Sequence, residues 1–576
     1  MTEQSQPAHH AQDSAAAPLA RAEAGVPEHG DGRHEESPGA IAVTELIDRE
    51  HAAAPAPEEA AAEPAAARKQ SGPAQHKWWT LVGVCLGTFM LLLDVTIVNV
   101  ALPDIQSALK SSFSDLQWVV DAYALTLAAL LLTAGSLADN FGRRKLYVIG
   151  LTVFTVASLL CGAAQTTLML QLSRGLQGVG GAIMFAVSLA LLADAFRGKD
   201  RGVAFGIWGG VTGLATAIGP LLGGALTTGL SWRWIFFVNL PVGIAAVIIV
   251  LLRVAESRAP KARRPDWLGF AVFSVALAAL VYGLIESSER SFSDTRVLAA
   301  LIAAGVLLVA FVVIEIGKSE PMFDFSLFRK PTFTGGAVAA FGMSASAFAL
   351  LVYFVLYLQN VLGFDALNTG LRLLVMSGGI LITSAVAGRL TSHVPIRFLI
   401  GPGLLVVGVG LLLMRGLDVG TVWTHLIPGL VVIGAGVGLV NPPLASTAVG
   451  VVEPQRAGMA SGINSTFRQV GIATGIALLG TLFSNRVTSE VLSRVSGDPQ
   501  LKGRGSELAT AVRSGAIGKV LAKAPAAARH SIEQIATGSF AAGLNLILLV
   551  AAFIAFGAGV VALATIRSKD LVNAEH

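Results

Sequence analysis

The chain has 576 residues, of which 53% are hydrophobic and only 14% charged, and its mean hydropathy is +0.67. That balance excludes a soluble globular protein of this length and fits a polytopic membrane protein. The net charge of +4 comes from 41 basic and 37 acidic residues gathered in loops between apolar runs, so it does not argue for a nucleic-acid partner.

Residues 1–77 are rich in Ala, Pro, Glu and His and carry no apolar periodicity, which predicts a disordered cytoplasmic tail. Its histidines (His9, His10, His29, His34, His51, His76) are scattered, so a solvated tail is expected and no metal site. The first apolar run begins only at Trp78, too far in for a secretory signal. Cys85 and Cys161 both fall inside apolar runs and make neither a disulfide framework nor a zinc site.

Apolar runs of membrane-spanning length lie near 78–102, 117–138, 146–164, 168–193, 202–229, 234–252, 266–286, 295–317, 332–361, 367–390, 396–414, 421–449, 459–484 and 540–566. Basic clusters at Arg143–Lys145, Arg197/Lys199/Arg201, Arg253–Arg264, Lys318/Arg329/Lys330 and Arg389/Arg397 occupy alternate short loops, which places both termini in the cytoplasm. The long connection 485–539 then lies outside and is expected to fold into short surface helices. Two weak internal echoes set the architecture. Gly180–Gly202 aligns on Gly436–Gly458, and Gly135–Arg144 aligns on Gly388–Arg397 at nearly the same offset. The reading is an all-α polytopic membrane protein of two pseudo-symmetric six-helix bundles, 78–253 and 331–566, with a two-helix insertion at 254–330 and a C-terminal cytoplasmic tail at 567–576.

In chain order, the first span carries Leu93-Asp94-Val-Thr96-Ile-Val-Asn99-Val-Ala-Leu-Pro103. A carboxylate inside a membrane helix is costly and faces protein or water, so Asp94 is the leading proton site, with a structural aspartate as the alternative. The loop after span two reads Gly135-Ser-Leu-Ala-Asp139-Asn140-Phe-Gly142-Arg143-Arg144-Lys145. Span four carries Arg174-Gly-Leu-Gln177-Gly178. A guanidinium keeps its proton, so Arg174 can tune a nearby acid but cannot carry the proton itself. Span five holds small residues at Gly206, Gly210, Gly213 and Ala217, followed by Gly219-Pro220-Leu-Leu-Gly223-Gly224. The three- or four-residue spacing of Gly206, Gly210, Gly213 and Ala217 predicts one smooth helix face open to close backbone approach, and Pro220 a bend after it. Trp232-Arg233-Trp234-Ile-Phe-Phe-Val-Asn239-Leu-Pro241 leads into span six.

These strings resemble the motifs of the major facilitator superfamily, in its 14-span drug:proton antiporter branch (EmrB/QacA type), over nearly all of residues 78–566. The loop motif of that family, Gly-x-Leu-x-Asp-Arg-x-Gly-Arg-Arg, is matched except that Asn140 stands for an arginine. The resemblance implies a latch between the bundles made by Gly135, Asp139, Gly142, Arg143 and Arg144, proton coupling by Asp94 and Arg174, and an antiporter helix marked by Gly219, Pro220, Gly223 and Gly224. The second copy of the loop has Ser392 where Asp139 stands, so only the first is expected to latch. Asn464, Arg468 and Gln469 are also typical of the branch. Composition resembles that of actinomycetes whose exporters remove a self-made antibiotic.

The expected activity is proton-coupled efflux of an amphipathic organic compound across the cell membrane, with an uptake symporter of the same fold as the alternative. The partners are then the substrate, protons and lipid. No cofactor or metal is expected, and no phosphate-binding Gly-x-x-x-x-Gly-Lys-Ser/Thr loop exists to drive an ATP pump. Asp121, Tyr123, Trp208, Tyr353, Tyr357 and Gln359 are candidate cavity residues, each of the aromatic ones equally compatible with core packing. Glu286 and Glu315 read as boundary charges.

Overall fold

The computed structural model describes residues 74–571 apart from 112, 259–265, 290–291, 319–320, 322, 497–500, 502, 514–516, 518–519 and 522–524. The tail expected at 1–77 therefore lies outside the described residues up to 73, as do its histidines except His76, and 572–576 of the C-terminal tail. The described residues are helical or irregular, with no strand. Thirteen of their helices are long and apolar enough to cross a membrane, and Arg397–Leu413, at 17 residues, is shorter.

The long helices are α1 (Ala74–Leu109), α2 (Phe113–Phe141), α3 (Arg143–Gly162), α4 (Thr167–Ala195), α5 (Gly198–Gly229) and α6 (Asn239–Arg253). Then come α7 (Trp267–Glu289), α8 (Thr295–Ile316), α9 (Pro331–Met343, continued to Val361), α10 (Ala366–Leu390) and α11 (Arg397–Leu413). The last three are α12 (Ile427–Gly450), α13 (Ala457–Ser496) and α14 (Ala526–Thr565). Apolar side chains gain little from leaving lipid for protein, so close packing of small residues has to hold such helices together. The glycines do this: an added Cβ at Gly180 would lie 2.6 Å from the backbone nitrogen of Phe154, and one at Gly436 would lie 2.8 Å from that of Val407. One apolar core gathers side chains from α9 to α14, and another gathers side chains from α1 to α6. A third, rich in phenylalanine, joins α7 and α8 (Phe273, Phe311) to Phe323, Phe333 and the start of α13.

The structure departs from the sequence reading at the two ends of the connection 485–539, where the flanking helices run on to Ser496 and from Ala526. Both flanking helices run 40 residues, about 60 Å at 1.5 Å per residue, and so reach far beyond a hydrocarbon layer of about 30 Å. Val487, Val491 and Val495 continue the buried stripe of α13 at four-residue spacing, and the short helix Gly505–Arg513 packs Leu508 and Val512 against the same core. Interleaved charges hid this from the hydropathy pattern, yet they support the helix: Glu490 pairs with Arg486 at 3.2 Å and with Arg494 at 3.0 Å.

A second departure is α9. Its π-helical turns at Ser344–Phe348 and Tyr357–Val361 interrupt the regular winding, and the first lies against Gly471 and Gly475 of α13. Such bulges occur disproportionately at functional sites.

Candidate functional site

Asp94 is fully buried, and its carboxylate accepts from donors on two other helices, α4 and α6. Oδ2 accepts from Nη1 of Arg174 on α4. Oδ1 accepts from Nε2 of Gln177 at 2.8 Å and from Nδ2 of Asn239, the first residue of α6, at 3.3 Å. Arg174 and Gln177 stand three apart on α4 and so share a face; Nη1 of the arginine also donates to Oε1 of the glutamine at 2.8 Å. Ser158 of α3 accepts from Gln177 and Asn239 and donates to the Phe236 carbonyl at 3.0 Å. Arg174 also meets α2: its Nε donates to the Val119 carbonyl at 3.1 Å, and the Tyr123 ring lies 4.2 Å from its guanidinium carbon.

This arrangement is that of an ionised pair. A carboxylate is an acceptor only and can take every donor that faces it; a protonated carboxyl carries a hydrogen and must push one donor away. Removing either charge alone would leave the other buried and uncompensated, at a cost of about 3–5 kcal/mol. The sequence identified Asp94 and Arg174. Gln177 and Asn239 were visible in the quoted strings without a role, and Ser158 carried no signal that could have singled it out.

The loop motif forms a second site, where α2 meets the start of α13. Asp139 accepts from Nε and Nη2 of Arg143 at 3.0 and 2.7 Å, and from the backbone N–H groups of Gly458 and Met459 at 3.0 and 2.9 Å. The first N–H groups of a helix have no partner within it and present partial positive charge, so a carboxylate docks there naturally. Arg143 Nη2 also donates to the Pro454 carbonyl, and its Nη1 lies 3.9 Å from Asp194. Gly142, with φ of 107°, makes the turn into α3 that L side chains resist. Arg144 acts elsewhere: it donates to the Val254 carbonyl and faces Glu256, whose carboxylate caps the N-terminus of α3 through the amides of Arg144 and Lys145.

Gly135, one α-helical turn before Asp139, lies against Gly458, and an added Cβ there would sit 3.0 Å from the Gly458 carbonyl carbon. The matching contact across the molecule is Gly388 with Gly202 and Gly206. In that second contact Ser392 donates to the Arg389 carbonyl on its own helix.

The glycines of the α5 stripe share one face, and the Gly219–Gly224 segment that follows them turns to another. Gly206, Gly210 and Gly213 face Ser384, Leu381 and Ile380 of α10, whereas Gly219 and Gly223 face Thr96, Ile97 and Val100 of α1. The cause is the register: Gly219 follows Gly213 by six residues, or about 240° further round the helix at 3.6 residues per turn. Pro220 is buried beside Gly370 of α10, and Thr227 and Thr228 donate to the Gly223 and Gly224 carbonyls.

The six candidate cavity residues do not converge. Tyr123 stacks on Arg174, and Trp208 is buried with its indole donating to Thr88 at 3.1 Å. Tyr353 and Tyr357 belong to the core of α9–α14, against Phe483 and Phe540. The ring neighbours of Tyr353 and Tyr357 are other aromatic side chains, whereas Tyr123 faces a guanidinium and Trp208 a hydroxyl. Asp121 and Gln359 are half-buried. Glu315 stands at the end of α8, is buried, accepts from the Phe323 amide at 2.9 Å and lies 3.8 Å from Lys318.

Comparison with known proteins places this geometry. The model of the Major Facilitator Superfamily matches residues 84–476. The multidrug resistance protein Stp of Mycobacterium tuberculosis is 37% identical over 424 residues, covering 73% of this chain and 79% of that protein. The tetracenomycin C resistance and export protein of Streptomyces glaucescens is 33% identical over 516 residues, 87% of this chain and 93% of that protein. The puromycin resistance protein of Streptomyces alboniger is 36% identical over 71% of this chain and 82% of its own length. Among solved structures, a bacterial homologue of the human lysosomal transporter Spinster, inward-facing and occupied, aligns with a TM-score of 0.55 at 16% identity over 88% of this chain and all of that one. With four-fifths or more of these curated relatives' length covered or nearly so, and a family model spanning most of the membrane helices, the chain belongs to the Major Facilitator Superfamily, as a multi-span membrane transporter whose relatives are multidrug and antibiotic exporters.

Proposed function

We propose that this protein exports an amphipathic organic compound from the cytoplasm in exchange for protons, by alternating access of the two helix groups. The observation that carries the reading is the buried Asp94–Arg174 pair. A proton reaching Asp94 removes its charge, converts an acceptor into a donor, and forces the surrounding helices α1, α3, α4 and α6 to rearrange their hydrogen bonds. That links proton occupancy to helix position, which is what coupling requires.

The engaged Asp139 latch supports a conformation closed at the end that bears the basic loops, the cytoplasmic end by the charge rule. The named activities of the tetracenomycin C, puromycin and multidrug relatives support efflux of organic compounds. Purified protein in liposomes with an imposed pH gradient provides the test, using tetracenomycin C and ethidium as probes. Gradient-dependent movement of either probe against the proton flow is expected. Movement with the proton flow would mean symport, and no gradient-dependent flux of any probe would overturn the reading.

A further inference from the structure

Arg468 on α13 is only 8% exposed, yet among the described residues it has no ion pair. Its Nε donates to Asn464 at 3.1 Å, one turn earlier, and its Nη2 is buried without any partner. No acid of its own half lies at its depth. Between Pro331 and Ser489 the acids are Asp365, Asp418 and Glu453, and all three stand in connections between helices. In the other half, Asp94 is engaged by Arg174, and Asp139 by Arg143 and the α13 N-terminus. A buried guanidinium without a counter-charge is costly, and it cannot escape by losing its proton.

Its position gives that cost a use. Arg468 lies 11 residues into α13, about 16 Å along the helix at 1.5 Å per residue, near the middle of a bilayer. Asn441 of α12 is at a similar depth, nine residues from the helix end at Gly450, and bridges to the first half by donating to Thr212 at 3.0 Å while its own Oδ1 accepts nothing. Ser461, two turns before Arg468, donates to the Ala186 carbonyl of α4, so this stretch of α13 also reaches the first half. One turn after Arg468, Gly471 lies against the π-helical turn of α9. Transporters of this architecture bind their cargo near the midplane between their halves.

We propose that Arg468 is an anion-recognition residue, and that the compounds this transporter handles carry a delocalised oxyanion such as a carboxylate or an acidic phenol. The proposal rests on the transport reading above and deepens it. The planar guanidinium offers paired donors that match such a group, and a lysine in its place keeps the charge but not the fork. The apolar body of the compound adds affinity without selecting for charge.

The test uses full-length protein and two probes with one apolar body and opposite charge, 1-pyrenebutyrate and a pyrenebutyl-trimethylammonium salt. Binding is read by energy transfer from tryptophan to pyrene, and flux by pH-driven movement in liposomes. Wild type is expected to favour the anion. Arg468→Gln is expected to lower the anion-to-cation affinity ratio about tenfold or more, with Arg468→Lys intermediate. Equal binding of both probes by wild type, or an equal loss of both in Arg468→Gln, would overturn the proposal. So would protection of the wild type by chloride that the pyrene anion cannot displace, because the counter-charge would then be an inorganic ion. If the cation is pumped while the anion neither binds nor moves, the charge assignment fails and transport stands. If neither moves under a gradient, the transport reading fails and the binding ratio alone decides the role of Arg468. A melting temperature of Arg468→Gln close to wild type separates lost recognition from lost folding.

Discussion

Gly135 of α2 and Gly458 at the start of α13 cross with backbone against backbone, and the residues aligned with them by the internal repeat, Gly388 and Gly202, cross in the same way on the other side. The repeat thus shows itself as two pseudo-symmetric helix crossings between the halves. They differ in one respect. Asp139 spans the first to the α13 amides, while Ser392 stays on its own helix in the second. Gly135→Val would press a side chain against a carbonyl that cannot yield without moving its helix. The expected result is near-complete loss of pH-driven flux, with cysteines placed beside Asp139 becoming reactive to water-soluble reagents; normal flux and unchanged labelling would remove this crossing from the transport cycle.

Asp139→Asn keeps the shape of the latch but removes its charge and one acceptor oxygen. The variant retains at best one of the two backbone hydrogen bonds from α13, and Arg143 loses its ion-pair partner at the crossing. Charge-assisted bonds of this kind are each worth about 1.5–3 kcal/mol, enough to shift a two-state balance by tenfold or more. Flux is expected to fall at least several-fold, and the melting temperature to fall as well, because Arg143 is left buried without its ion-pair partner. Distances between spin labels on α2 and α13, measured at the basic-loop end, should shift toward the open state.

The two faces of α5 carry two kinds of glycine. Gly206 and Gly210 face α10 across the two halves, but Gly219 faces Thr96 within the first half, where an added Cβ would lie 2.6 Å from the threonine Cβ. Gly219→Leu should therefore lower the melting temperature as well as transport, and Thr96→Gly should restore part of both by making room. Failure of that rescue in a well-folded double variant would show that Gly219 acts through something other than its fit against α1.

At the basic-loop end, Asp324 pairs with Arg456, the residue just before α13, and accepts from the Ser326 amide at 2.9 Å. Burial pushes this carboxyl up, but the bonds from Ser326 and the charge of Arg456 outweigh it and hold the group below the ordinary carboxylate value. Since the folded value is the lower one, the pair stabilises the fold at neutral pH, and its contribution is lost as pH falls through the folded value, below about 4 for a free aspartate. Asp324→Asn should melt earlier than wild type at pH 7, and the gap should close on acidification. A gap that is constant with pH would mean that Asp324 contributes through shape and not charge.

Much of this site was legible in the sequence because membrane insertion makes polar residues expensive, so each one inside a span announces itself: Asp94 and Arg174 stood out against apolar runs and are found paired. The loop motif likewise fixed Asp139 and Arg143. What one-dimensional spacing cannot give is the neighbour that each helix face meets: the Gly206–Gly213 stripe of α5 lies against α10, and Gly219 and Gly223 lie against α1. Nor can hydropathy follow a helix that leaves the membrane, where Val487, Val491 and Val495 alternate with charged residues. Aromatic side chains were ambiguous from the outset, since Tyr353 or Tyr357 suits a cavity wall and a core equally well in composition and only the neighbours decide.

The Asp94 network permits the most discriminating test. Asp94→Asn imitates the protonated acid: it removes the charge, presents an amide N–H toward one of the donors that now face the carboxylate, and leaves Arg174 buried with Gln177 and the Val119 carbonyl as its remaining partners. Breaking a buried pair in this way costs about 3–5 kcal/mol, so the variant should melt lower yet still insert, and pH-driven flux should vanish. Arg174→Lys keeps a positive charge within reach of Asp94 but cannot bond Asp94, Gln177 and Val119 together, and is expected to be partly active at best. Proton release on substrate binding, followed in weakly buffered detergent solution, separates a coupling role from a structural one. Wild type should release protons and Asp94→Asn none; an unchanged yield in a folded Asp94→Asn protein would take Asp94 out of the coupling step and leave the pair as a clamp between α1 and α4.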